Sequence, residues 1–159
     1  MIITVPLSEI YKGFDYAGFD PTVVFRIYII KGEGVILYVG RSKEAIDRVE
    51  THCGIGRFGS GTLLTNHLLS NRKKIMNYTV TFLDEEICCS LSKYKDVVRI
   101  QKNRYWRDTC VEDLENRLIF RLSPVYNAMG QKEHRREINR WNELYPPEQT
   151  WWTGPDLGL

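Results

Sequence analysis

The chain has 159 residues, 43% of them hydrophobic and 26% charged, and a net charge of +2. That balance fits one soluble globular domain able to bury its own core and argues against a disordered chain. No apolar run approaches the ~18 residues of a membrane span, and the start MIITVPLSEIYKGF has no basic segment followed by a cleavable apolar stretch, so a cytoplasmic protein without a membrane partner is expected.

Val23 to Ile30 (VVFRIYII) and Val35 to Val39 (VILYV) are rich in β-branched and aromatic residues, and Lys31-Gly32-Glu33-Gly34 between them predicts a β-hairpin. Gly40 ends the second strand. Ser42 is placed to cap a helix over Glu44 to His52, whose Ala45, Ile46 and Val49 fall at helical spacing. The stretch Gly54 to Gly61 (GIGRFGSG) lacks the ending of a phosphate-binding loop and follows a helix rather than a strand, so it reads as a flexible connection. A second apolar-periodic stretch covers Leu63 to Asn71. Tyr78 to Leu83 (YTVTFL) alternates and predicts a third strand, closed by Asp84-Glu85-Glu86.

Cys88 to Lys102 suits a helix, whereas Arg104 to Thr109 (RYWRDT) reads as a loop. Val111 to Leu122 is the most regular helix, with Leu114, Leu118, Ile119 and Leu122 on one face, and Pro124 stops it. A short polar helix is expected around Glu133 to Leu144, then a tail too rich in Pro and Gly for regular structure. No linker divides residues 1–159, so a single domain is expected.

Charge is unevenly spread. From Arg26 to Lys74 nine basic residues face four acidic ones, and from Lys93 to Arg107 six basic residues, interleaved with Tyr94, Tyr105 and Trp106, face only Asp96. Cations with aromatics among them suit a phosphate backbone. Cys53, Cys88, Cys89 and Cys110 follow no C-x-x-C spacing and read as reduced thiols rather than disulfides or zinc ligands.

Arg48 and His52 are four apart and share a face of the helix that directly follows the strand bearing Tyr38. Glu115 stands on the shoulder of the apolar stripe of the later helix, and Tyr126-Asn127 lies past its proline stop. A tyrosine, a guanidinium, an imidazole, a carboxylate and an amide suit work on a phosphodiester: an acid to hold a divalent metal, a cation for nonbridging oxygens, a proton acceptor for water. Taken singly, each has an ordinary reading. Tyr28 and Tyr38 fit half-buried packing positions, Arg48 a solvated helix face, Glu115 a complement to the helix dipole and Asn127 a turn. Tyr11, His67, His134 and Trp151-Trp152 read as packing, surface or partner contacts.

At these positions the sequence resembles the GIY-YIG nuclease family. The hairpin motif is present as Arg26-Ile27-Tyr28 and Tyr38-Val39-Gly40, the arginine as Arg48, the helix histidine or tyrosine as His52, and the acidic helix motif with its trailing turn as ENRLI (115 to 119) and PVYN (124 to 127). The resemblance covers about residues 24–128, with extensions over 1–23 and 129–159. Arg26 replaces the first glycine of the family name, at a strand position and not at a reacting group. Residues 53–77 and 84–110 are longer than a minimal core requires, as added surface for substrate selection would be.

The resemblance implies an α+β fold with a small three-stranded antiparallel sheet flanked by helices. It also implies phosphodiester hydrolysis with one divalent cation, Mg2+ or Mn2+, held by Glu115 and completed by waters. Tyr38 would be the general base, assisted by His52; Arg48 and Arg41 would neutralise the phosphate; Tyr28 would orient the water or the base; Asn127 would fix geometry near Glu115. The function expected is a metal-dependent DNA endonuclease of stand-alone, sequence-reading restriction type, acting on double-stranded DNA, with a homodimer suited to cutting both strands. Arg41, Arg57, Arg72, Lys73, Lys102 and Arg104 are the candidate nucleic-acid contacts, with Asn71 and Asn103 as further readers of base edges. The alternatives are a repair- or homing-type nuclease of the same family, a nucleic-acid-binding module that does not cut, and a zinc-stabilised interaction domain.

Overall fold

The computed structural model describes residues 1–14, 20, 22–55, 62–127, 157 and 159. Their elements run β1 (Ile2–Pro6), α1 (Leu7–Tyr11), β2 (Phe25–Gly32), β3 (Val35–Arg41), α2 (Ala45–His52), α3 (Leu63–Ser70), a 3-10 turn (Ile75–Asn77), β4 (Thr79–Asp84), α4 (Glu85–Leu91), α5 (Lys95–Ile100) and α6 (Arg104–Leu122). The fold is α+β, and its strands form one antiparallel sheet in the order β1-β4-β2-β3.

Four strands stand where three were expected. The extra one, β1, lies in the supposed N-terminal extension and pairs along β4, with Thr4 opposite Thr81 and their hydroxyls 2.8 Å apart. Ile2-Ile3-Thr4-Val5 are good strand formers, but the run ends at Pro6 and is too short to show a period of its own. Pairing across β4 and packing of Ile3 and Val5 on the core make it a strand.

The hairpin forms as expected. Glu33 and Gly34 connect β2 and β3 with φ values of 52° and 79°, and positive φ at both central residues is the backbone of a type I′ turn, whose twist matches that of the strands. β2 is buried along nearly its whole length, which explains its continuous apolar run. Ile27 and Ile29 of β2, with Val39 and Leu83, pack under Val111, Leu114, Leu118 and Ile119 of α6. Tyr28, Ile30, Val80 and Phe82 face the other way, onto Leu7, Ile46, Val49, Leu64 and Leu68 of α1 to α3. Alternation along β2 thus serves two helical layers, one on each face.

Two helical boundaries differ from expectation. The helix expected over Cys88 to Lys102 is two, α4 and α5, separated at Ser92, whose backbone is extended and whose hydroxyl donates to the buried Asp113 carboxylate at 2.9 Å. Arg104 to Thr109 is no loop but the first turns of α6. Asn103 caps it, its Oδ1 accepting from the Trp106 backbone N–H at 3.1 Å, and Trp106 and Cys110 pack beneath the new turns. Glu115 therefore sits in mid-helix rather than at a helix start.

The glycine-rich stretch from residue 56, the helix expected over 133–144 and most of the tail lie outside the described residues, as do Arg57, His134 and Trp151-Trp152. Among the described residues no helix is long and apolar enough to cross a membrane.

Candidate active site

The site is built around Gly40. In the β2–β3 register Gly40 lies opposite Tyr28, and Tyr38 lies opposite Ile30, so both phenols project from the same sheet face at neighbouring positions. A Cβ on Gly40 would stand 2.5 Å from the Tyr28 ring and its hydroxyl and 2.7 Å from the Tyr38 ring. Only glycine leaves room for both. The two rings stack with centroids 6.0 Å apart, and the His52 ring lies 5.3 Å from that of Tyr38.

His52 ends α2 and is fully buried, with Nε2 3.0 Å from the Tyr28 hydroxyl. Burial, helped by the Arg48 guanidinium, pushes its pKa down to about 4, so the imidazole is neutral at neutral pH. Burial pushes the Tyr28 phenol well above its ordinary range, with the neighbouring Tyr38 adding to the rise. Tyr38 is raised too, by burial first and then by the Glu115 carboxylate, while Arg48 and a hydrogen bond with Tyr28 oppose the rise. Arg48 is the exposed member, one helical turn before His52 and close enough to act on all three rings.

Glu115 reaches this corner from α6. Its side chain is only 16% exposed, and its Oε2 is 2.8 Å from Nε of Arg41, which ends β3. Burial raises the carboxyl to about 7, Arg41 opposes the rise and Glu112 adds to it. Arg41 also meets Glu112 at 3.2 Å. A half-buried carboxyl that titrates near neutrality, with one cation on one of its oxygens, is a donor that gains strongly from a second positive charge. Glu115 is the carboxylate of this corner that could hold a divalent cation, and Arg41 the group that would share or release that carboxylate.

Asn127 is buried, and its side-chain amide is spent on Val39 rather than on Glu115. Its Oδ1 accepts from the Val39 N–H at 2.8 Å and its Nδ2 donates to the Val39 carbonyl at 2.7 Å. Together with Tyr126 N–H on the Leu37 carbonyl at 2.9 Å, this makes the segment after α6 a partner for the outer edge of β3. Its role here is to hold the backbone between Tyr38 and Gly40.

The remaining candidates are dispersed. Arg72 lines a cavity of about 410 Å³ with Tyr11 and Cys53, Lys73 is exposed after α3, Lys102 is exposed after α5, and Arg104 begins α6 in ion pairs with Glu85 and Asp108. Arg26 is buried and joins the same two acids, so this strand position is the root of an ion-pair cluster.

Sequence reasoning left His67 without a role. Its Nε2 lies 2.9 Å from the Tyr78 hydroxyl and its Nδ1 2.7 Å from that of Tyr126, tying α3 to the segment that carries Asn127. These partners are 11 and 59 residues away, a separation in which no local pattern exists. All four cysteines are free and buried. Cys53 packs on one side of the sheet and Cys88 on the other, and among the described residues no group of three or more His, Cys, Asp and Glu side chains could hold a metal ion. Comparison of the chain with models of protein families, with curated proteins and with solved structures found no match in any of the three.

Proposed function

We propose that the chain is a divalent-metal-dependent DNA endonuclease of GIY-YIG type, hydrolysing phosphodiester bonds of duplex DNA at the corner formed by β3, α2 and α6. The observation that carries this reading is the convergence of five side chains from four elements on one corner: two stacked phenols, a neutral imidazole, an exposed guanidinium and a carboxyl titrating near 7. Packing alone gives no reason to bury a carboxyl beside two phenols with a single cation on one of its oxygens.

A bound divalent cation would supply Lewis-acid polarisation of the phosphate and the positive charge that keeps Glu115 ionised. The chain's own groups divide the rest. Tyr38 faces the reacting water; burial holds its phenol protonated in the metal-free protein, and positive charge at the site, Arg48 included, favours loss of that proton to solvent, leaving the phenolate that takes the proton of the attacking water. Tyr28, locked to His52, orients Tyr38. Arg48, and Arg41 once released from Glu115, neutralise the nonbridging oxygens and the charge that grows in the transition state. Asn127 holds Val39 and with it the spacing of Tyr38 from Gly40. Cutting both strands with one such site per chain favours a homodimer.

The test is incubation of plasmid DNA with the protein and Mg2+ or Mn2+, with sequencing of the product ends. Cleavage that requires the metal and disappears in Glu115→Ala supports the reading; equal trace activity in wild type and Glu115→Ala overturns it. Tight DNA binding with no cutting under either metal would instead leave a non-catalytic binding module.

A further inference from the structure

The segment from Lys93 to Arg107 carries six cations against one acid, but the ion pairs divide them into two populations. Arg104 lies 3.0 Å from Glu85 and 3.5 Å from Asp108, and Arg107 lies 3.1 Å from Glu85 and 2.7 Å from Glu86. Arg26, reaching out from β2, takes the same Glu85 and Asp108. Three guanidiniums thus face three carboxylates, and the cluster is neutral. Lys93 turns back over Tyr94 toward the buried Asp113.

Lys95, Arg99 and Lys102 differ. All three are exposed, and among the described residues none makes an ion pair. Lys95 and Arg99 are one helical turn apart on α5, hence on one face, and Lys102 lies in the short link between α5 and α6. They border one cleft of about 370 Å³, and among the described residues that line it the one carboxylate, Glu86, is already held by Arg107. The acid nearest in sequence, Asp96, is exposed to solvent. Beside the cleft Tyr105 is 70% exposed and Ile100 is 81% exposed.

We propose that Lys95, Arg99 and Lys102 form the surface that grips the sugar–phosphate backbone of duplex DNA, and that Arg104 and Arg107 take no part in it. This deepens the nuclease reading and rests on it for the identity of the polyanion. Exposed cations outside any ion pair, two on one helix face and one just past its end, match the dense, regular charge of a phosphate backbone, about one per 3.4 Å of each strand, and such contacts position a duplex without reading its sequence. Arg104 and Arg107 would first have to break pairs with Glu85, which is nearly buried at 12% side-chain exposure.

The experiment measures binding of a short duplex in chelator, so that cutting does not intervene, as a function of salt. For Lys95→Gln/Arg99→Gln/Lys102→Gln the slope of log affinity against log salt should shrink by about 2.7, roughly 0.9 for each lost phosphate contact; the single variants should each give a third of that. Arg104→Gln should leave the slope unchanged while lowering the Tm. An unchanged slope in the triple variant, or an equal loss in Arg104→Gln, overturns the proposal, as does an affinity for an acidic polypeptide that exceeds that for DNA. The two readings fail separately. Wild type that cuts DNA while the triple variant keeps the full slope sinks only this surface, and binding with the expected slopes but no metal-dependent cutting sinks only the nuclease.

Discussion

Gly40 and Tyr28 face each other across the β2–β3 ladder so closely that a methyl group on Gly40 would stand 2.5 Å from the tyrosine hydroxyl. Tyr28 is 1% exposed and bonded to His52, so its ring has nowhere to retreat. Gly40→Ala should therefore destabilise the protein by about 1–3 kcal/mol, the usual effect of overpacking, and reduce cleavage far more than that loss of folded protein explains. Denaturant unfolding beside plasmid cleavage at a temperature where the variant is folded checks both. Full activity in a folded Gly40→Ala protein would show that the spacing of the two phenols does not matter.

Glu115 couples stability to pH. Its carboxyl has an ordinary value of 4.5 and a folded value of about 7, so the folded protein holds this proton more tightly than the unfolded chain does. Its contribution is fully present below about pH 4.5 and is lost as pH rises through 7. Glu115→Gln, which cannot ionise, should be more stable than wild type in chelator at pH 8, by on the order of 2 kcal/mol, with the difference closing toward pH 4.5. Magnesium should raise the Tm of wild type at pH 8 and not that of the variant, because only a group that binds the ion links it to folding. A difference that is the same at pH 5 and pH 8 would remove the carboxyl from its buried position.

His52 titrates with the opposite sign. Its folded pKa, about 4, lies below the ordinary 6.5, so the stability it contributes is complete above 6.5 and drains away as pH falls toward 4. In His52→Gln, whose amide reaches the same place as Nε2, wild type and variant should converge or cross on acidification, by about 2–3 kcal/mol across that window. At pH 7.5 the variant should cut at least about tenfold more slowly, since Tyr28 loses its neutral imidazole partner. Thermal unfolding of both proteins between pH 4 and 7.5 gives the comparison, and parallel curves would mean that the imidazole is solvated.

What the sequence disclosed followed the range of the interactions involved. The hairpin, α2, α3, β4 and the later turns of α6 rest on alternation or helical spacing within a few residues, and all were legible. The start of α6 was not, because Arg104 and Arg107 look like solvated loop cations until Glu85 and Glu86, 19 to 22 residues earlier, are placed beside them. Arg26 is opaque for the same reason: its acids lie 59 and 82 residues away. In the site, spacing put Arg48 and His52 on one helix face, yet only packing decides that His52 turns inward to Tyr28 while Arg48 stays in water.

Asn127 is the sharpest case of a long-range partner, reaching Val39 across 88 residues. Its two bonds satisfy both the donor and the acceptor of one residue on an edge strand, the one between Tyr38 and Gly40. Asn127→Asp keeps an acceptor for the Val39 N–H but sets an oxygen against the Val39 carbonyl, whereas Asn127→Ala leaves both groups unmet in a buried place. Each unmet buried group costs about 1–3 kcal/mol, so alanine should destabilise by more than one such group and aspartate by about one. Hydrogen exchange separates the two: the Val39 amide should lose its protection in Asn127→Ala and keep much of it in Asn127→Asp. Cleavage should fall in both, and further in alanine, because the strand backbone that spaces the phenols is held by fewer bonds from outside. Unchanged protection at Val39 in the alanine variant would mean that β3 is held by the hairpin alone, and the amide would then have no part in positioning Tyr38.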